Sequence, residues 1–292
     1  MGLRREAEVL TAALDQGCHV VLDGPPGTGK STLLRAIANA SGRGVQFVEG
    51  NAELTPARLI GHHDPALVLE GGYRDEAWID GPLAIALREG QLLYLEELNR
   101  IPEETLNVLI TAMAEREVVV PRRGRIAAAR GFLLVAAMNP YDAVGTARVS
   151  QAIADRMSRI AIGYQDEERE REIVRRETGF EGRDVEVGVA IARGTRSHSA
   201  VRLGSSVRGA IDMVRLAYGL ADLRSERPLG REGLLDAAVA SFSGRLRMHE
   251  DQDRTAEEVI AELLDAALSA PPEAPGRAGA GPAPPPAAAA AR

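Results

Sequence analysis

The sequence contains a single lysine. Of its 35 Lys and Arg residues, 34 are arginine, and Lys30 is the exception. The absence of a second lysine excludes the N-K-x-D motif with which guanine-nucleotide switches read their base. It also raises the question of why a chain that uses arginine everywhere else has lysine at this one position.

Cysteine and long apolar segments are scarce as well. Cys18 is the only cysteine, so a disulfide within the chain is excluded, and its place in an apolar segment predicts a buried structural thiol. No apolar run reaches the roughly 18 residues of a membrane-spanning helix. The first ten residues lack the hydrophobic segment of a signal peptide. We therefore expect no membrane span and a cytoplasmic protein.

An excess of basic residues is also missing. The net charge is −7 and the pI is about 5.4. Proteins that bind nucleic acid backbones usually carry clustered positive charge. We therefore do not expect nucleic acid to be the main partner, although a local basic channel stays possible.

Lys30 lies in the segment GPPGTGKS, residues 24–31. The segment fits G-x-x-x-x-G-K-[ST], a loop whose backbone N–H groups surround a phosphate while the lysine reaches the β and γ oxygens and the hydroxyl binds Mg²⁺. Arginine is a poor substitute because its guanidinium is a wide planar fork. An apolar strand at 18–23 precedes the loop and a helix at 31–40 follows it, so the anion would face a helix N-terminus. The expected nucleotide contacts are Gly24, Pro25, Pro26, Gly27, Thr28, Gly29, Lys30, Ser31 and Thr32.

Short apolar segments alternate with helical patterns along the first half of the chain. Strands are predicted at 18–23, 45–50, 91–97, 131–139 and 159–164. Helices are predicted at 3–16, 31–40, 55–60, 82–89, 102–115 and 149–157. This alternation is typical of α/β proteins in which crossover helices connect the strands of a parallel sheet.

Two insertions interrupt the strand–helix alternation, and the pattern changes after the fifth predicted strand. Residues 61–81 contain two short β-like runs around Gly71–Gly72, and residues 117–129 read as a β-hairpin. After a charged helix at 165–177 the pattern is purely helical, with helices at 185–193, 205–222, 230–247 and 254–268. We predict an α/β core that contains the phosphate loop over 1–165, a second, all-α domain over 166–270 and a disordered Pro/Ala/Gly-rich tail over 271–292.

Polar residues at the ends of two predicted strands supply candidates for hydrolysis. Glu96 and Glu97 end the strand at 91–97. Glu96 would hold Mg²⁺ together with Ser31, and Glu97 would polarise the attacking water. Asn139 ends the next strand and could orient that water. The pattern therefore predicts a Mg²⁺-dependent nucleotide hydrolase.

These motifs resemble the MoxR family of AAA-type ATPases, which is related to magnesium chelatase ATPase subunits and CbbQ/NorQ-type activators. GPPGTGKS, then LLYLEELNR with the following IPEETLNVLITAMAERE, then FLLVAAMNP carry the resemblance, which covers about residues 15–225. It implies a doubly wound ATPase core, with helices on both faces of a parallel sheet, and a C-terminal helical lid. It also implies ATP and Mg²⁺ as cofactors, and a ring, commonly a hexamer, with nucleotide between subunits. It also implies chaperone-like work on a protein client, often beside a von Willebrand A-type partner.

Two arginine roles follow from the same resemblance. Arg156 stands where the family has a D-R-F triplet before the fifth strand, which implies an arginine finger acting on the neighbour's ATP, with Arg159 in reserve. Met157 replaces the usual Phe of that triplet. Arg208 matches the family's sensor arginine at the start of a lid helix, which would touch the γ-phosphate in its own subunit.

One departure from the family leaves alternatives open. Glu96 stands where related ATPases usually have Asp, and its extra methylene could alter Mg²⁺ geometry and slow turnover. The alternatives are a nucleotide-gated scaffold with little hydrolysis and a nucleic-acid-remodelling ATPase. A metal site at His62–His63–Asp64 is not expected, because adjacent histidines in a loop need not face the same way and Asp64–Pro65 reads as a turn.

Overall fold

The computed structural model describes residues 2–140, 150–251 and 253–271. The predicted tail, apart from Pro271, lies outside these residues, as does residue 149 of the predicted 149–157 helix. Within the described ranges, no helix is both long and apolar enough to cross a bilayer.

Strands and helices alternate through the first half of the molecule. The strands are β1 (Val20–Asp23), β2 (Val45–Glu49), β3 (Gly61–His63), β4 (Trp78–Asp80), β5 (Leu92–Glu96), β6 (Glu117–Val120), β7 (Gly124–Ala127), β8 (Leu133–Met138), β9 (Ser158–Ala161), β10 (Val201–Leu203) and β11 (Arg247–Met248). The helices are α1 (Arg4–Asp15), α2 (Lys30–Ser41), α3 (Pro56–Ile60), α4 (Pro65–Gly71), α5 (Pro82–Glu89), α6 (Glu103–Glu115), α7 (Gln151–Ala154), α8 (Glu167–Thr178), α9 (Arg183–Ser197), α10 (Val207–Arg224), α11 (Arg231–Phe242) and α12 (Ala256–Ser269).

Five of the strands form a parallel sheet in the order β2-β5-β8-β1-β9. The three central strands, β1, β5 and β8, are buried apolar runs because both faces of the sheet are covered there, whereas the edge strands β2 and β9 also carry exposed residues. Side chains alternate between two apolar clusters: Leu93 and Leu95 pack into one with α5 and α6, while Leu92 and Tyr94 pack into the other with α1 and α2. The prediction of a doubly wound parallel sheet is confirmed.

The carboxyl ends of the central strands meet at one edge of the sheet. Asp23 ends β1, Glu96 ends β5 and Asn139 follows β8 directly. Because β8 lies between β5 and β1, these three residues close one short stretch of that edge. Open α/β sheets bind their ligands at this edge, so the fold brings the predicted strand-end residues to one place.

The first insertion differs from its prediction. Residues 61–63 and 78–80 pair as an antiparallel ribbon, but α4 lies between them instead of a β-like run. Asp64 explains the helix, because its Oδ1 accepts from the N–H groups of Ala66 at 2.8 Å and Leu67 at 3.3 Å. Pro65 occupies the first helical position, where its missing N–H costs nothing. The second insertion forms the predicted hairpin, β6 with β7.

The C-terminal part is mainly helical, and it contains a third apolar cluster that spans Val174 to Leu264. The prediction of a purely helical pattern is wrong in one respect. The predicted 230–247 helix ends at Phe242, and Arg247–Met248 pairs antiparallel with Val201–Leu203. Sequence patterns missed this pair because each strand is only two or three residues long.

A buried ion network ties the first helices of this part together. The Glu170 carboxylate of α8 is 2% exposed and accepts from Arg196 Nη1 at 2.7 Å and Arg193 Nη1 at 3.2 Å, both on α9. Arg196 Nε also donates to the Ser205 carbonyl at 2.7 Å. Ser206, the next residue, caps α10. The network therefore fixes the start of α10, the helix that carries Arg208.

Candidate active site

The phosphate loop connects β1 to α2. Its last residue, Gly29, has φ +90° and forms the N-cap of α2, and Gly27 has φ +75°, a region that favours glycine. A Cβ at Gly27 would collide with the Ser206 side chain at the start of α10. The Thr28 hydroxyl donates to the Pro25 carbonyl at 2.9 Å and closes the loop on itself. The loop is thus held between the sheet edge and α10.

Lys30 is satisfied by the loop that surrounds it. Its Nζ donates to the carbonyl oxygens of Gly24 at 2.7 Å and Pro25 at 2.8 Å. Burial lowers the pKa of Lys30, whereas the nearby carboxylates of Asp23 and Glu96 act in the opposite direction. The ammonium therefore stands at the point where the loop and two strand-end carboxylates meet, and phosphate oxygens could replace the carbonyls as its acceptors.

Three oxygen-bearing side chains meet beside Lys30. The Ser31 hydroxyl donates to Glu96 Oε1 in a very short contact. The Tyr94 hydroxyl lies 3.2 Å from Ser31 Oγ and 3.2 Å from the same Glu96 oxygen. Burial raises the pKa of the Tyr94 phenol well above its usual value, so the hydroxyl keeps its proton at neutral pH.

The chemistry of Ser31 and Glu96 fits Mg²⁺. Hydroxyl and carboxylate oxygens are the donors that this hard cation prefers, and phosphate-loop enzymes complete its octahedron with substrate phosphates and water. In the described residues no group of three or more His, Cys, Asp or Glu side chains could hold a metal. Ser31 and Glu96 would supply protein oxygens to such a site, and substrate phosphates and water the others.

Glu97 and Asn139 stand at neighbouring strand ends. Glu97 follows β5 in the left-handed conformation, with φ +52°, and its Oε2 lies 3.1 Å from Arg100 Nη1. Its side chain is 41% exposed, so water reaches it. Asn139 follows β8 and is half-buried. Both lie at the sheet edge where sequence reasoning placed them, and their roles in hydrolysis stay predictions.

Asp23 is a buried carboxylate that sequence reasoning missed. Its side chain is 2% exposed, and its Oδ2 accepts from Arg159 Nε at 2.6 Å. In the described structure its Oδ1 has no hydrogen-bond partner. A charged residue ending an otherwise apolar strand was the signal that could have revealed it. Arg159, the reserve finger candidate, thus contacts the end of β1 in its own subunit.

The two arginines that the family resemblance singled out lie in different surroundings. Arg208 is the second residue of α10 and lines the cavity above the phosphate loop. Arg156 is exposed, and its Nη1 donates to the Ala152 carbonyl at 2.7 Å. The next residue, Met157, is buried in the cluster that includes α6. Burial of Met157 anchors the segment while the guanidinium of Arg156 stays on the surface.

A cavity of about 560 Å³ opens between the phosphate loop and the helical part. Gly27, Thr28, Gly29 and Thr32 line one side of it. Its apolar lining combines Leu3, Leu33 and Tyr164 of the α/β part with Ile173, Val207 and Ile211 of the helical part. Charged side chains, among them Arg176, Arg215 and Arg245, line the cavity as well. Such a cleft suits a nucleotide whose base packs on the apolar residues and whose phosphates lie on the loop. No local motif marks Leu3 or Tyr164, so sequence reasoning could not find them.

Comparisons with known proteins agree with this geometry. The AAA domain family (dynein-related subfamily) matches residues 19–157. NorQ of Paracoccus denitrificans is 30% identical over 257 residues, which cover 81% of this chain and 91% of that protein. The gas vesicle ATPase GvpN of Haloferax mediterranei is 28% identical over 267 residues, which cover 86% of this chain and 75% of that protein.

A solved structure extends the likeness to the fold. The RuvB Holliday junction branch migration motor of Thermotoga maritima superposes with a TM-score of 0.52 at 18% identity, covering 82% of this chain and 68% of that chain. At this identity the likeness concerns the fold alone. The phosphate loop, the strand-end carboxylates and the extended match to NorQ lead to one conclusion: the chain belongs to the AAA ATPases of MoxR type and is an ATP hydrolase.

Proposed function

We propose that this ATPase hydrolyses ATP in a ring, commonly six subunits in this family, and uses the energy to remodel or mature a protein complex. The observation that carries the proposal is the position of Arg156. Its guanidinium is exposed and lies outside the described lining of its own nucleotide cavity. A finger in that position serves a neighbouring subunit more readily than its own.

Within one subunit, the proposed roles divide between binding and chemistry. Lys30 and Arg208 bind the β and γ phosphates, which carry the most negative charge. Glu97 takes the proton of the attacking water and Asn139 orients that water. For this role the Glu97 carboxylate must exchange its contact with Arg100 for one with water, which its exposure permits.

Ser31 and Glu96 are the proposed Mg²⁺ ligands, Glu96 through water. When bound, the ion neutralises charge on the β and γ phosphate oxygens. The Ser31 hydroxyl already contacts Glu96 Oε1, so the two donors are adjacent before any ion arrives. The extra methylene of Glu96 does not prevent this contact.

The two insertions form the proposed contact surface for a protein client. Arg123 of the hairpin segment lies 2.8 Å from Asp75, and the Arg122 guanidinium lies 4.1 Å from the Tyr73 ring centroid, so the insertions hold each other. Their surface exposes large apolar side chains, with Leu69 88% and Val119 67% accessible. Exposed apolar groups of this size are typical of protein contacts. A von Willebrand A-type protein belongs to the proposed assembly on the strength of the family alone.

The lysine of the phosphate loop supplies the first test. Lys30→Ala should weaken ATP binding about 10- to 150-fold, the range expected when hydrogen bonds to a charged group are lost. Lys30→Arg should bind ATP but hydrolyse it poorly, since the fork cannot take the place of the ammonium. Binding is measured by calorimetry and turnover by phosphate release, with Arg43→Ala as the control because Arg43 pairs with Asp15 outside the site. Wild-type turnover by Lys30→Arg would contradict the account.

Mixing inactive variants tests the shared site. Arg156→Ala should bind ATP normally and lose about 10³–10⁵ in rate, the contribution of an arginine finger. Mixed with Lys30→Ala, which keeps a sound finger, it should regain activity wherever an intact pocket faces an intact finger. A mixture of Lys30→Ala with Glu97→Gln is the matched control, because both changes damage the pocket and no interface is complete. If the first mixture stays as inactive as the control, the finger and the ring are both wrong.

The client surface is tested by a polar substitution at its most exposed residue. Leu69→Asp should leave basal ATP hydrolysis unchanged, because Leu69 is 88% exposed and lies outside the described nucleotide cavity. Proteins retained from a source lysate by the wild type with a non-hydrolysable ATP analogue should be lost with Leu69→Asp, as judged by mass spectrometry. Arg74→Ala in the same insertion is the control. An unchanged set of retained proteins would exclude Leu69 from the client surface.

A further inference from the structure

The Tyr94 hydroxyl occupies a position that packing does not explain. The residue is 1% exposed, and its ring packs in the cluster beneath α2, with the Phe47 ring centroid 5.6 Å away. Phenylalanine would fill this space equally well. A buried phenol needs a hydrogen-bond partner, and this one finds two, both of which belong to the proposed Mg²⁺ site.

The strand itself directs the hydroxyl to the site. Tyr94 and Glu96 are two residues apart in β5, so their side chains leave the same face of the sheet. Ser31 reaches that face from the first turn of α2. The three oxygens form a triangle with 3.2 Å from the phenol to each of the other two.

The triangle contains two hydroxyl protons, one on Ser31 and one on Tyr94, and their acceptors follow from the chemistry of the three groups. Ser31 donates to Glu96 Oε1. Tyr94 has one proton and two possible acceptors, and an ionised carboxylate is the stronger of them. Both hydroxyl protons therefore converge on Oε1, which leaves the other carboxylate oxygen of Glu96 without either of these donors.

We propose that Tyr94 is a positioning residue of the Mg²⁺ site: its hydroxyl fixes the Glu96 carboxylate in one orientation, with Oε1 held by two hydroxyls and the second oxygen left for the ion or its water. The inference rests on the proposed roles of Ser31 and Glu96. Tyr94 touches neither ion nor substrate, and it acts through Glu96.

The same contact accounts for Glu96 where the family usually has aspartate. Glutamate has one more rotatable bond than aspartate, so a free carboxylate loses more conformational freedom when it binds. The Tyr94 hydroxyl restrains that extra bond before the ion arrives. The longer side chain and the buried phenol therefore form a functional pair, and their effects on metal binding should not be additive.

Tyr94→Phe removes the hydroxyl and keeps the ring. The Mg²⁺ concentration that gives half-maximal binding of a fluorescent ATP analogue should rise about tenfold, the lower end of the effect of groups that orient metal ligands. Binding of Mn²⁺, followed by electron paramagnetic resonance in the presence of ADP, should weaken in parallel. Nucleotide affinity in EDTA and the thermal midpoint should stay close to those of the wild type, which a purely structural role of the hydroxyl would not predict.

Two further variants sharpen the comparison. Phe47→Leu disturbs the ring contact without touching the hydroxyl and should leave the Mg²⁺ midpoint unchanged. In a Glu96→Asp background, Tyr94→Phe should change the midpoint by about twofold or less, because the bond that the hydroxyl restrains is gone. A wild-type midpoint in Tyr94→Phe, or an equal loss in both backgrounds, would overturn the proposal.

The wild type and Ser31→Ala separate this inference from the one it rests on. If the wild type binds the analogue equally in Mg²⁺ and EDTA and shows no Mn²⁺ signal, the proposed Mg²⁺ site is wrong. The positioning role of Tyr94 is then wrong as well. If the wild type responds to Mg²⁺, Ser31→Ala loses that response and Tyr94→Phe keeps it, the metal site stands and only the role of Tyr94 is wrong.

Discussion

The ammonium group of Lys30 sets the arrangement of the groups around it. It is partly buried, and the free energy of removing a charge from water must be offset by acceptors. Two loop carbonyls within 2.8 Å of Nζ are these acceptors, and the negative charges of Asp23 and Glu96 further favour the charged form of Lys30. The acceptors belong to the loop and the carboxylates to the ends of β1 and β5, so the charge of Lys30 is stabilised by three neighbouring parts of the fold. A bulky guanidinium has no equivalent position, which explains the single lysine in a chain of 34 arginines.

The three carboxylates at the strand ends differ in exposure and in the groups that they contact. Asp23 is buried and pairs with Arg159 of its own subunit, whereas the Glu97 side chain is 41% exposed and pairs with Arg100. Glu96 lies between these extremes, held by two hydroxyls. In the proposed ring, Arg156 stays the favoured finger, because Arg159 of the same segment already pairs with Asp23 of its own subunit.

Most of the core could be predicted from the sequence because its signals are local. Apolar runs marked the five parallel strands, and the octet at 24–31 marked the loop between the first strand and its helix. Helix α4 was missed because a capping Asp64 and the following proline outweighed a β-like pattern. The β10–β11 pair was missed because its strands are short and because 43 residues lie between Leu203 and its pairing partner Arg247.

In the candidate site, too, the sequence pointed to the residues that have local signals and not to the others. The structure places the candidates carried by contiguous motifs, the loop and Glu96–Glu97, at one edge of the sheet. Tyr94 was within reach, since it shares the strand face of Glu96, but an aromatic residue in an apolar run reads as packing. Leu3 and Tyr164 line the same cavity although they are 161 positions apart in the sequence, and only the tertiary structure brings them together. Sequence patterns therefore point to candidate catalytic groups more readily than to the residues that shape the cavity.

In the proposed ring, nucleotide completes a site shared between subunits. The most direct measurement is native mass spectrometry of Glu97→Gln with ATP and Mg²⁺, because glutamine keeps the shape of the side chain but cannot act as a base. The account predicts closed rings that retain ATP, and smaller species when nucleotide is removed. Monomers that carry ATP, or ATP consumed at the wild-type rate, would contradict it.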